Sequence, residues 1–286
     1  MRYPFIQQHK KAYPVTVMCK VLAVSTSGYY DWCKAGVGPR AQSNQVLDEH
    51  IAEVFHRHKE RYGSPRITEE LQAQGTSSSE NRVARRMRIM QLKACQSRKF
   101  KVTTDSAHDK PVAPDLIQRD FTASSMNQKW VSDITYIWTT EGWMYLAVVL
   151  DLYSRAVIGW SIQTRMTQQL VCDALTMALF RRGFPKGVII HSDRGSQYCS
   201  TRYQRLLKAN QLQCSMSRKG CCYDNAAMES YFHTLKVELV YRENYHTREQ
   251  AKQSIFQYIE IYYNRQRRHS AINNQIPMMF ELVKSA

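Results

Sequence analysis

Three acids of this 286-residue chain stand in settings that folding alone does not favour. Asp133 lies in Trp130-Val-Ser-Asp-Ile-Thr-Tyr136, a β-branched and aromatic run where Asp is disfavoured as a strand residue. Asp193 follows the apolar run Gly187-Val-Ile-Ile190, in His191-Ser-Asp-Arg-Gly-Ser-Gln-Tyr198. Residues just past the carboxyl end of a sheet strand line the crevice where ligands bind. Glu229 lies on a helix expected after Gly220, with Asp224 or Asn225 able to cap it. On that helix Asn225, Glu229, His233 and Lys236 follow at steps of four, four and three and share a face. Ala227, Tyr231, Leu235 and Leu239 form its packed side. Taken alone, the helix reads equally well as an amphipathic element with a solvated side.

Three converging carboxylates repel one another, and Mg²⁺ or Mn²⁺ would neutralise them. Two such ions, roughly 3.5–4 Å apart, clamp the attacking and leaving oxygens of a phosphoryl transfer, so no covalent protein nucleophile is needed. Asp151, in Leu150-Asp-Leu-Tyr-Ser-Arg155, competes for the same role. It reads better as a turn acid paired with Arg155.

The charge points to the same chemistry. Forty Lys and Arg against 24 Asp and Glu give a net charge of +16, and such a surface attracts polyanions, with nucleic acid first among them. The eight cysteines include no Cys-x-x-Cys pair, so a zinc knuckle is not expected. No apolar run follows Met1, and no apolar stretch approaches the length of a membrane span. Reduced thiols and a cytoplasmic setting fit best.

The elements that must position the acids divide the chain. Residues 1–45 read as helical: Val15 to Leu22, a turn at Ser25-Thr-Ser-Gly28, then a helix from Tyr29. Residues 46–105 read as a second block of helix-turn-helix outline, with Thr68 capping one helix and Ser77 to Asn81 preceding the next. From Arg82 to Lys101 there are eight Lys or Arg and no acid, which suggests a recognition helix and a basic arm. Arg82, Arg85, Arg86, Arg88, Arg98, Lys99 and Lys101 are the candidate phosphate contacts. Residues 106–125 read as a linker. From 126 to 245 the order is three strands, helix, strand, helix, strand, helix, the order of a ribonuclease-H-like α/β fold with a mixed five-stranded sheet and helices on both faces. Residues 246–286 hold an amphipathic helix and the basic cluster Arg265-Gln-Arg-Arg-His269, with Arg267 and Arg268 as further DNA contacts.

Trp130-x-x-Asp133-Ile-Thr-Tyr136, His191-Ser-Asp193-x-Gly-x-Gln-Tyr198 and Lys219-Gly-x-x-Tyr-Asp-Asn-Ala-x-x-Glu229, with Lys236 seven residues on, resemble the integrase catalytic core. More narrowly they resemble the second reading frame (OrfB) of the IS-three family of bacterial insertion-sequence transposases. The 35 residues between Asp193 and Glu229 match that pattern, and Tyr263-Asn264-x-x-Arg267-x-His269 with Pro277 is similar to the family's C-terminal signature. The resemblance implies that Asp133, Asp193 and Glu229 hold two Mg²⁺ (or Mn²⁺) ions, and that Lys236 contacts an element end. His191, Gln197, Asn225 and His233 would support the site or face DNA. It implies hydrolysis at an insertion-sequence end to free a 3′-OH, then direct transesterification, giving a circle and later integration. The implied partners are double-stranded DNA (terminal inverted repeats and target), a second copy of the chain, and an upstream-frame (OrfA) partner or fusion unless the chain is self-sufficient. Two other readings stay open: a catalytically idle DNA-binding regulator of transposition, and a ribonuclease-H-type nuclease with Asp151 as a fourth acid.

Overall fold

The computed structural model describes residues 2–34, 38–95, 112–218 and 222–285. Two compact units divide at 94/95, and each is built on its own core. Arg98, Lys99 and Lys101 lie outside the described residues.

The first unit is all helix. Helices α1 (Arg2–His9), α2 (Val15–Val21) and α3 (Thr26–Lys34) bury Ile6, Met18, Cys19 and Tyr29 together. The Ser25 hydroxyl accepts from Gly28 N at 2.9 Å, so Ser25 to Gly28 starts α3 instead of forming the separate turn expected. Helix α4 (Pro39–Arg57) has Pro39 in its first turn, where a fixed φ suits helix entry. Neither Gly nor Pro follows until Gly63, so α4 runs straight through residue 45, where a boundary was expected. Helix α5 (Ser64–Ala73) begins earlier than expected; Thr68 lies inside it and donates back to Ser64 O at 2.8 Å instead of capping. Helix α6 (Glu80–Ile89) is capped by Ser79, whose side chain accepts from Arg82 N. Leu47, Ile51, Val54 and Phe55 of α4 are buried, as are Ile67 and Leu71 of α5 and Val83 and Met87 of α6, and the three helices pack on one another.

The second unit carries the sheet. Strands β1 (Lys129–Thr139), β2 (Gly142–Asp151) and β3 (Val157–Gln163) form an antiparallel meander, and β4 (Ile189–Ser192) and β5 (Gln213–Met216) run parallel to β1. The spatial order is β3-β2-β1-β4-β5. Helix α7 (Gln168–Arg182) links β3 to β4, and α8 (Thr201–Ala209) links β4 to β5. A 3₁₀ turn (Cys222–Asn225) leads into α9 (Ala226–Glu238). This is the ribonuclease-H-like arrangement expected. Leu170, Ala174, Leu175 and Ala178 of α7 bury one face of the sheet against Trp130, Ala147, Val149 and Ile158. The approach of α7 is close: a Cβ at Gly159 would stand 2.2 Å from Ala174 O.

Residues 112–125 are no free tether. Ile117 is buried, Leu116 N donates to Ser215 Oγ at 2.9 Å, and Met216 N donates to Pro114 O. The C-terminal segment is equally bound in. Helix α10 (Arg248–Phe256) continues as a π-helical stretch (Gln257–Tyr263), and α11 (Pro277–Ser285) follows. Asn264 mimics a strand neighbour for β3, accepting from Val157 N at 2.9 Å and donating to Val157 O at 2.8 Å. No helix is long and apolar enough to cross a membrane among the described residues, and none of Cys19, Cys33, Cys95, Cys172, Cys199 and Cys214 forms a disulfide.

Candidate active site

The register of the sheet brings two of the acids together. β1 and β4 pair through Lys129 with Ile189, Trp130 with Ile190 and Val131 with His191, and the ladder ends there. Asp133 and Asp193 each lie two residues beyond that last pair, side by side where two parallel strands part. Such a divergence at strand carboxyl ends is where α/β sheets place ligands. The third acid arrives on α9, which packs on β1 and carries Glu229 in its first turn.

Backbone amides orient both aspartates. Asp133 Oδ1 accepts from Ile134 N at 2.7 Å, and Asp193 Oδ1 accepts from Gly195 N at 2.9 Å. A Cβ at position 195 would meet that Asp193 oxygen at 3.0 Å and Gln197 Oε1 at 3.2 Å, so a larger residue there would press on the Asp193 carboxylate. Burial, then the charges of Asp193 and Glu229, push the Asp133 carboxyl well above the usual range, while Lys236 pulls it down. Burial also raises Glu229. Lys236 is pushed down by burial and held up by Tyr136 and Asp133; its Nζ stands 4.8 Å from the centroid of the Tyr136 ring. Asp193, Glu229 and Lys236 all stand within electrostatic reach of Asp133.

The donor set suits a hard divalent cation: it offers carboxylate oxygens in mutual repulsion. A buried acceptor lies close by. Asn225 Nδ2 reaches Ser132 O at 3.5 Å, next to Asp133, and Asn225 Oδ1 has no hydrogen-bond partner. Among the described residues no three His, Cys, Asp or Glu side chains are drawn close enough to enclose a metal ion by themselves.

Residues 123–222 match the family described as Integrase core domain, residues 229–282 a second family of the same description, and residues 42–100 the HTH-like domain. The transposase InsF for insertion sequence IS3A of Escherichia coli (strain K12) is 51% identical over 283 residues, 98% of this chain and 98% of its own. The chain belongs to this family of insertion-sequence transposases. The insertion element IS600 uncharacterized 31 kDa protein of Shigella sonnei is 44% identical over 263 residues, 92% of this chain and 97% of its own. Among solved structures, the HTLV-2 integrase catalytic core domain in complex with magnesium (trimeric form) covers 56% of this chain and 99% of its own, at 16% identity and a TM-score of 0.43.

Several other side chains of the transposase are placed differently from expectation. Asp151 is buried and accepts from Asn127 N and Tyr153 N at 3.0 Å, with Arg182 at 3.8 Å. It is a turn acid, as expected, but its nearest guanidinium is that of Arg182; the Arg155 side chain donates to Phe121 O instead. Burial raises its carboxyl, while the Asn127 and Tyr153 amides and Arg182 lower it. His191 does not face DNA: it is fully buried, Nδ1 2.8 Å from Ser215 Oγ and Nε2 3.1 Å from Ser217 Oγ, and burial lowers its pKa. Arg267 is the clearest correction. It is 3% exposed and makes three bonds of 2.8–3.0 Å to Glu238, so it locks α9 to the C-terminal segment and cannot reach DNA. Arg268 donates to Asn274 O and Gln197 Nε2 to Met166 O. His233 is half-buried on α9, one turn after Glu229. On α6, Arg82 bonds Ser43 and Asn44, and Arg86 forms a bidentate pair with Asp48 of α4. Arg85 and Arg88 are exposed.

One anchor was missed. The helix-capping expectation for Asp224 and Asn225 fails, because Asp224 is fully buried and Asn225 makes no side-chain cap bond. The Asp224 carboxylate instead accepts from Arg119 Nε, Arg218 N, Arg218 Nε and Arg218 Nη2 at 2.9–3.0 Å. It fixes the entry to α9, and hence the height at which Glu229 meets the sheet. The sequence signal was an acid next to Asn at a helix start, which reads as a cap until the inward turn is seen.

Proposed function

We propose that this DNA transposase cleaves and joins DNA with Asp133, Asp193 and Glu229 as its catalytic acids. The observation that supports the reading is the placement of Asp133 and Asp193 where β1 and β4 part, with burial and then the charges of Asp193 and Glu229 raising the Asp133 carboxyl. Divalent ions, when bound, would activate the attacking oxygen and stabilise the departing 3′ oxygen, and a pair of them suits an in-line displacement. The three carboxylates hold that charge. Asn225 Oδ1, buried and lacking a donor, is an added acceptor beside them.

Lys236 supplies the positive charge on the protein side. Its ammonium leans over the Tyr136 ring, within electrostatic reach of Asp133, and would meet the phosphate next to the scissile bond. Hydrolysis at an element end frees a 3′-OH, and that hydroxyl attacks a second phosphodiester. The same acids serve both steps, because each is a displacement at phosphorus with an oxygen nucleophile. Arg85 and Arg88, exposed on α6, contact the phosphates of the duplex. Two element ends must be held at once, so at least two copies assemble on the DNA. The upstream-frame product, as partner or fusion, completes end recognition where the first unit does not suffice. Nucleoid DNA as substrate places the reaction in the bacterial cytoplasm.

The test is a labelled duplex spanning an element end, incubated with the purified chain and Mg²⁺ or Mn²⁺. The expected products are a nick at the 3′ end of the element and a joined strand. Binding with neither product, even after the upstream-frame protein is added, would reduce the chain to a DNA-binding regulator.

A further inference from the structure

Three large aromatic rings stand in water on the hairpin that carries Asp133. Tyr136 is 38% exposed, Trp138 56% and Trp143 46%. They form one continuous group. Trp138 and Trp143 are direct cross-strand partners with ring centroids 4.8 Å apart, and Tyr136 meets Trp143 edge-on at 5.2 Å. The group begins three residues from Asp133, about 10 Å along the strand at ~3.4 Å per residue, and the odd spacing turns the rings to the other face of β1 from the Asp133 side chain. Lys236 covers its inner end through Tyr136. Beyond Val131 the pairing of β1 with β4 has ended, which leaves an open edge of β1 between the two faces, and Lys236 links the rings on one face to Asp133 on the other.

The hairpin that displays them is held rigid. Thr139 Oγ1 donates to Gly142 O at 2.8 Å, closing the turn. Thr140 N donates to Tyr245 O at 3.0 Å, and Glu141 accepts from Arg248 N at 2.8 Å. The tip is therefore tied to the start of α10. A cross-strand tryptophan pair does stabilise a hairpin. It does not account for three rings kept partly in water on a pinned support that leads to a set of catalytic acids.

We propose that Tyr136, Trp138 and Trp143 form a stacking platform for unpaired nucleobases of the DNA strand leaving the crevice. Every base has a flat face, so aromatic rings hold single strands without reading sequence, and a nearby cation adds attraction for the phosphates. Strand transfer needs such a hold: once a strand is cut beside the acids, its last bases must be kept apart from their complement while the 3′-OH is aimed. The role of the platform in catalysis rests on the three-acid reading above, but base stacking itself does not.

The experiment therefore measures binding without metal. The full chain, in EDTA, is titrated with a short duplex carrying a single-stranded thymidine tail, and with the same duplex whose tail is abasic. Both tails carry the same phosphates, and only one carries bases. Wild type should bind the thymidine tail about tenfold more tightly. The double variant Trp138→Leu/Trp143→Leu should lose that preference while binding the abasic tail as wild type does. Trp138→Phe/Trp143→Phe should keep most of the preference, and thermal unfolding of both variants shows whether the hairpin persists. Should the leucine variant fail to fold, Tyr136→Leu alone carries the same expectation at smaller size. No preference in wild type, or an equal loss on both tails, overturns the platform. So does an unchanged preference with an altered sedimentation mass, which would make the patch a protein contact. Failure of the three-acid reading would show as retained joining in Glu229→Gln, with tail binding untouched.

Discussion

Helix α9 carries a charge cluster at each end, and the two are built in opposite ways. At its C-terminal end Glu238 meets Arg267 in three bonds, and Tyr258 Oη donates to the same carboxylate at 2.9 Å. Both charges are buried, and Glu238 holds the Arg267 guanidinium firmly protonated. At the N-terminal end Glu229 faces two more acids, and Asp133 is destabilised by its neighbours. The first end pairs its charges, and the second gathers charges of one sign; the proposed catalytic role explains the second, because a bound cation would offset that repulsion.

The largest effect expected from breaking this contrast is on chemistry. Glu229→Gln keeps the shape of the side chain but is a poor ligand for a hard cation. Strand joining should fall about a hundredfold or more, while DNA binding in a gel-shift assay persists. At the other end the same kind of change should act on folding. Arg267→Ala leaves the Glu238 carboxylate buried without its guanidinium, with the Tyr258 hydroxyl bond to offset it in part, and should cost roughly 3–5 kcal/mol in a denaturant titration. Glu238→Leu combined with Arg267→Met removes both charges and should recover most of that loss.

The pH dependence sharpens the contrast further. Asp133 has a folded-state pKa above that of the unfolded chain. Its contribution to stability is therefore fully present below the unfolded value, about pH 4, and is lost as pH rises through the raised folded value. Melting temperature measured without metal should fall over that window in wild type, and the fall should be shallower in Asp133→Asn.

The smallest effects belong to α6, where the arginines divide by facing. Arg85→Ala with Arg88→Ala should reduce the slope of log affinity against log salt by about two, with stability unchanged. Arg86→Ala breaks the pair with Asp48 and should instead cost about 1 kcal/mol of stability. A salt slope that moves more with Arg86 than with Arg85 and Arg88 would reverse the assignment.

Asp133 and Asp193 stand out in the sequence because each contradicts its local setting. Asp133 interrupts a run of strand formers, and Asp193 ends an apolar one. Their side-by-side placement was not legible, since it depends on the register Val131 to His191 across 60 residues of chain. The order of strands and helices showed the fold for a similar reason: hydrophobic periodicity is local. Arginine roles were the weak point. Arg265, Arg267 and Arg268 read as one basic patch, yet Arg267 belongs to a carboxylate 29 residues away. Arg82 and Arg86 looked no different from Arg85 and Arg88 until α4 supplied Ser43, Asn44 and Asp48. A charge run shows that phosphate can be bound, and only tertiary partners show which of its members are left to bind it.

Asp133→Asn tests the central claim most directly, because two readouts of one variant should move in opposite directions. The account predicts a higher melting temperature in the absence of metal at a pH above the raised Asp133 value, since a carboxylate opposed by burial and by two neighbouring acids is gone, together with loss of strand joining on an element-end duplex in Mg²⁺. A variant that still joins strands, or that melts lower than wild type, would contradict it.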